Sequence, residues 1–149
     1  MKKDKLLPDC RLGSSPEQRK AFDVYMKAFS SANFELFPEF YTEDVVLELP
    51  SAPPIAGKQA IIGFYRPMFA KVRESLDMKA LEYSDDSLRL DAITRFTALC
   101  DVPDFTLGAL KAGDYVEGRI LVTYTLRDGR ISHIAVERGG EMVRHDSCR

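Results

Sequence analysis

The chain has 149 residues, a formal net charge of −2 and a pI near 5.7, with 45% hydrophobic and 30% charged residues. That is enough chain for one domain with its own core, and the scattered basic residues leave no electrostatic footprint for nucleic acid. No apolar run approaches the ~20 residues that span a bilayer, and MKKDKLLPDC lacks an apolar segment of signal-peptide length, so the expectation is a cytoplasmic protein with neither nucleic acid nor membrane as a partner.

Residues 1–13 read as a flexible leader in which Lys2, Lys3 and Lys5 form a solvated start. The domain is expected over 14–138. Ser15-Pro16-Glu17-Gln18 is a helix start: serine caps, proline fits the first helical position and Gln18 completes a capping box. Phe22, Tyr25, Met26 and Phe29 follow at i, i+3, i+4 and i+7, one apolar face, and the helix should end near Ser30–Asn33. Taken alone, Tyr25 is a core aromatic with its hydroxyl near solvent. Phe34–Tyr41 suggests a second, short helix bent or begun at Pro38. Asp44–Leu49 alternates like a strand, with Val45, Leu47 and Leu49 on one face, and Pro50 ends it. Gly57 leads into a third helix whose inner face is Ile61, Phe64, Tyr65 and Met68, with Pro67 kinking or ending it.

The rest of the chain is mostly β. Leu76–Tyr83 is a strand, followed by the turn Ser84-Asp85-Asp86. Leu88–Ala98 is a long strand with Leu88, Leu90, Ala92, Thr94, Phe96 and Ala98 facing in. A loop carries Pro103, Gly108 and Gly113. Asp114–Leu126 places Val116, Ile120, Val122, Tyr124 and Leu126 on one face, a turn of the Asp-Gly type follows at Asp128-Gly129, and Ile131–Arg138 is the last strand. Residues 139–149 read as a polar tail. Helices first and antiparallel strands afterwards imply an α+β fold, about three N-terminal helices on a strongly curved, mixed and mostly antiparallel sheet. Such a sheet makes a cone whose mouth is a natural ligand site.

Little in the sequence suggests a cofactor. Cys10, Cys100 and Cys148 are too widely spaced for a disulfide framework or a zinc motif, and Cys148 gives no prenylation box. His133 and His145 make no metal site by themselves, and neither a phosphate loop nor a dinucleotide fingerprint is present. The expectation is no cofactor and no metal.

PPIAGKQAIIGFYR (Pro53–Arg66), GRI (Gly129–Ile131) and LKAGDYVEGRILVTYTLRDG (Leu110–Gly129) resemble segments of the NTF2-like/SnoaL-like superfamily. That superfamily of small α+β cones includes nuclear transport factor 2, SnoaL-type polyketide cyclases, scytalone dehydratase and ketosteroid isomerase. The resemblance covers roughly Pro16 to Arg138. It implies that Tyr25 polarises a substrate carbonyl, with Tyr41 and Tyr65 hydrogen-bonding behind it. It also exposes two departures. Leu49 stands where ketosteroid isomerase has its aspartate base, and Val122 stands at or near its second acid. Neither moves a proton, and the strand alternation turns Glu48 outward. Steroid isomerisation by the usual aspartate route is therefore disfavoured.

Phe29, Leu47, Leu49, Phe64, Phe96, Ile120, Val122 and Val136 are the expected apolar lining, with Thr94 as a small polar handle. Arg138 at the mouth could hold a carboxylate, enolate or phenolate; a solvent-facing strand end is the alternative. His133 and Glu137 fall on the opposite face. Asp91 and Arg95 are expected on the convex face, unlike the inward Asp–Arg–Asp constellation of the related epoxide hydrolases. Asp101, Asp104 and Asp114, beside the mouth, are open candidates for a missing acid.

Two functions fit. One is a cofactor-free enzyme of secondary metabolism that isomerises, cyclises or dehydrates an apolar carbonyl compound such as a polyketide, terpenoid or steroid-like ring. The other is a non-catalytic carrier of hydrophobic ligands, or a dimeric adapter, on the same fold. Ile93 and Leu121 on the exposed sheet face suggest a homodimer.

Overall fold

The computed structural model describes residues 10–147. Helix α1, Pro16–Ser30, begins with the capping box. The Ser15 hydroxyl accepts from the Gln18 amide at 3.2 Å, and the Gln18 side chain accepts from the Ser15 amide at 3.2 Å. Two otherwise orphaned N–H groups are thereby satisfied. Its buried stripe, Ala21, Phe22, Tyr25, Met26, Ala28 and Phe29, aims Tyr25 at the sheet.

The second helix expected over Phe34–Tyr41 is a single 3-10 turn, Phe37–Phe40, so the described residues contain two α-helices rather than about three. One turn suffices to bury Phe37 and Phe40 completely, and Pro38 has no N–H with which to lengthen it. Strand β1 then starts at once and runs Tyr41–Glu48, three residues earlier than the alternation from Asp44 indicated. After the proline-rich turn, β2 (Ile55–Ala56) folds back on β1 with Leu47 opposite Ile55. Gly57, at φ 102°, supplies a backbone geometry that L-residues rarely adopt, and opens helix α2, Lys58–Phe69. Pro67 falls in the last turn, where the helix stops two residues later.

Strands β3 (Val72–Tyr83), β4 (Ser87–Ala98), β5 (Tyr115–Arg127) and β6 (Arg130–Arg138) form an antiparallel meander. Strand β3 begins four residues before the expected Leu76. The β5–β6 turn carries Asp128 at φ 54° and Gly129 at φ 81°, the left-handed pair that a two-residue hairpin of this hand requires. Strand β1 lies parallel to β6, giving the order β2-β1-β6-β5-β4-β3. Register shifts between Tyr41 and Val46, Met78 and Ala80, and Thr125 and Leu126 mark irregularities of the kind that bend and twist a sheet.

Both ends of the described chain pack onto this body. Leu12 is buried, and its amide donates to the Gly129 carbonyl at 2.6 Å. Val143–His145 forms β7 and pairs with the start of β5, beyond the end of β6. Lys2, Lys3, Lys5 and Cys148 lie outside the described residues. The core is the concave side of the sheet, with Leu88, Leu90, Val122, Tyr124 and Ile134 closing against Phe22, Phe29 and Ile61. No helix among the described residues is long and apolar enough to cross a membrane.

Candidate active site

A cavity of about 360 Å³ opens within the cone. Every residue anticipated for the site lines it: Tyr25, Phe29, Tyr41, Leu49, Tyr65, Thr94, Phe96, Val122 and Arg138. The two-residue period of β4 and β5 sets most of this wall, and the stripe of α1 supplies Tyr25 and Phe29. Leu49 and Val122 are apolar wall, so the two places where an isomerase would keep acids carry none. Loop residues Phe105, Thr106 and Leu107 join the rim with Met142, whose sulfur packs where a side chain on Gly118 would stand.

The tyrosines differ in their bonding. The hydroxyls of Tyr25 and Tyr41 share a hydrogen bond of 2.9 Å. The Tyr65 hydroxyl makes no hydrogen bond among the described residues. Its ring packs instead on Phe69 and Phe29, with centroids 4.9 and 5.2 Å away. The expected trio is thus a bonded pair with Tyr65 as a neighbouring wall. Tyr124, on β5, is a fourth tyrosine, its ring edge-on to Tyr25 at 6.0 Å. Burial, above all, holds all four phenols well above their ordinary pKa, and the nearby Glu74 carboxylate raises them further.

Glu74 is the residue that the sequence argument missed. It lies on β3 and is 8% exposed in an apolar wall. Its Oε2 accepts a hydrogen bond of 2.7 Å from the Thr94 hydroxyl. The register explains the pairing. Glu74 stands opposite Phe96 and Leu76 opposite Thr94, so Thr94 is the diagonal neighbour that a long side chain reaches. Desolvation pushes the Glu74 carboxyl up to about 7, while the Thr94 hydrogen bond pulls the other way. The signal was present in the sequence: Val72, Glu74 and Leu76 continue the inward alternation of β3 toward its start.

None of the acids considered from sequence lines the cavity. Glu48 faces outward and bonds His133 at 2.5 Å. Asp91 is clamped by Arg119 at 2.6 and 2.7 Å on the outer sheet face, and Arg95 pairs there with Glu117 at 2.9 Å. Asp101 accepts from the Ala112 amide at 2.9 Å. Asp104 borders a shallow neighbouring depression. Asp114 is fully buried but structural, accepting from the Lys111 amide, the Ser147 amide and Arg144. Among the described residues, no three His, Cys, Asp or Glu side chains converge to hold a metal ion.

Residues 22–134 match the SnoaL-like domain. The chain belongs to the SnoaL-like family. Comparison with curated proteins finds no significant sequence match. Among solved structures, a candidate polyketide cyclase from Xanthomonas campestris superposes with a TM-score of 0.66 at 20% identity, covering 77% of this chain and 84% of that one. An LEH-like epoxide hydrolase from M. tuberculosis gives 0.64 at 14% identity, covering 78% of each chain. An NTF2-like protein from Anabaena variabilis gives 0.63 at 12% identity, covering 83% and 87%. At these identities the likeness is one of fold, and the fold of this SnoaL-like chain is the α+β NTF2-like cone. Its Asp91 and Arg95 lie outside that cone, as the strand alternation implied.

Proposed function

We propose that this SnoaL-like protein is an enzyme that moves a proton α to the carbonyl of an apolar small molecule, in an isomerisation, cyclisation or dehydration. The observation that carries this is Glu74, a buried carboxyl in a largely apolar cavity, bonded to a single hydroxyl. A carboxyl with a pKa near 7 is matched to taking and returning protons at neutral pH. Tyr25 complements it. The Tyr25–Tyr41 hydrogen bond can run either way; when Tyr41 donates, the Tyr25 proton is free for a substrate carbonyl and for the oxyanion that develops there. Phe29, Leu47, Leu49, Phe96, Val122 and Val136 would exclude water and hold the rings. What happens to the enolate, whether reprotonation elsewhere, attack on a second carbonyl or loss of hydroxide, depends on the substrate.

The test is hydrogen exchange. With 2-tetralone in D2O, the wild-type protein should speed α-deuteration, read by mass spectrometry. Glu74→Gln should lower that rate by about 10²–10⁴ and Tyr25→Phe by about 10²–10³, with binding of the ketone retained. Binding without exchange by the wild type would overturn the enzyme and leave the carrier. The same proposal includes a homodimer through the outer sheet face, where Leu121 is exposed and Ile93 half-buried; a monomer by light scattering would remove that part.

A further inference from the structure

We propose that Arg138 is an anion anchor, and that the natural ligand is therefore an apolar acid carrying a carboxylate at the cavity mouth. The inference rests on the cavity being a ligand site, as in the proposed function, and adds the class of ligand. Two charged side chains line the cavity, Glu74 and Arg138. Glu74 is deep and Arg138 is exposed at the rim. Arg138 ends β6 opposite Ile120, on the face that carries Val136 and Ile134 into the cavity. The alternation that lines the pocket with apolar groups thus ends in a guanidinium.

Six other arginines are held by carboxylates or rings, Arg73 and Arg130 reach only backbone carbonyls at 3.5 Å, and Arg89, exposed on β4, has neither a carboxylate nor a ring partner among the described residues. Arg95, Arg119, Arg127 and Arg144 each grip a carboxylate. Arg19 and Arg66 lie over the rings of Tyr83 and Phe34. Among the described residues, Arg138 likewise has neither kind of partner, although Glu137 and Glu141 are close in sequence, and unlike Arg89 it lines the cavity. Its planar fork is left for a ligand, and a carboxylate matches it with two parallel N–H···O bonds. The geometry also sets polarity. A ligand held by its carboxylate at the rim extends its apolar body inward past Val136 and Val122, toward Tyr25 and Glu74. Its acid group stays away from the Glu74 carboxylate, where like charge would repel it.

The probes are 2-naphthoate and methyl 2-naphthoate, which share one ring system, and the readout is calorimetric binding at constant ionic strength. Wild type should prefer the acid. Arg138→Met should weaken 2-naphthoate by roughly ten- to a hundredfold and leave the ester within about twofold. Arg138→Lys should recover part of the loss, since it keeps the charge but not the fork. Unchanged naphthoate binding in Arg138→Met would overturn the proposal, and so would an equal loss for acid and ester. Binding is read at equilibrium without turnover, so failure of the proton-transfer reading would leave this result intact, and the converse holds too.

Discussion

Replacing Glu74 by glutamine should make the protein more stable at alkaline pH while slowing its proposed chemistry. The sign follows from linkage. The Glu74 carboxyl titrates at about 7 in the folded protein against 4.5 when unperturbed. Between those values the unfolded chain gives up a proton that the folded chain keeps. Stability associated with Glu74 is therefore fully present below pH 4.5, is lost as pH rises toward 7, and stays lost above it. The difference between the two values corresponds to about 3 kcal/mol. Glutamine is close in size, can accept from Thr94 with its amide oxygen, and does not ionise. The stability of Glu74→Gln minus that of wild type should thus be near zero at pH 4.5 and rise to about 3 kcal/mol by pH 8.5. For a domain of this length that is roughly 6–12 °C in Tm. Urea denaturation of both proteins across that range measures it, and the subtraction cancels every other titrating group. A difference that stays flat with pH would mean that the carboxyl is solvated, and the reasoning that places it as a poised base would fall. A variant that is stabilised and slowed would be the signature of a residue kept for function at a cost in stability.

Three further outcomes follow from the same geometry. Thr94→Val keeps the side-chain volume but removes the hydrogen bond that lowers the Glu74 pKa; the midpoint of the pH–rate profile should move to higher pH than in wild type, and an unmoved midpoint would detach Thr94 from the carboxyl. Asp91→Asn breaks the outer-face pair with Arg119 and should leave α-deuteration within about twofold of wild type, because the pair contributes nothing to the cavity wall. Asp114→Ala strips the acceptor from the Lys111 amide, the Ser147 amide and Arg144 and should cost about 3 kcal/mol in denaturant unfolding, with a loss under 1 kcal/mol refuting its structural role.

Much of this was legible because periodicity is a local property of the chain. The capping box at Ser15, the stripe through Tyr25 and Phe29, and the alternation of β4 and β5 each state a direction in a few residues, and the cavity wall is the sum of those directions. Where the reading strayed, longer-range packing decided. Phe34–Tyr41 has the composition of a short helix, but burying Phe37 and Phe40 needed one turn, and β1 pairs with β6, a strand some ninety residues away. Tyr65 was expected in the hydroxyl network, but α2 presents its ring to Phe29 and Phe69, and no spacing in the sequence fixes the last ångströms of a phenol. The tail at Val143–His145 looked merely polar because its partner, the start of β5, offers pairing through backbone rather than through side-chain pattern.

The acid was overlooked for a different reason, and it bears on how such sites are found. Leu49 at the end of β1 removes a base from one wall of the cone, and inference from a family's motif stops there. But the cavity is a surface shared by several strands, and each inward position of each strand faces the same space. An acid can leave β1 and reappear on β3 without leaving the site, provided that it keeps the inward phase and meets a donor to fix its carboxylate. Glu74 meets both conditions, with Val72 and Leu76 sharing its phase and Thr94 as its donor. Burial then does the tuning, because the wall that holds a hydrophobic ligand also desolvates the carboxyl and raises its pKa. In a cone lined in this way, the phase of each strand is a better guide to a migrating acid than its position in the chain.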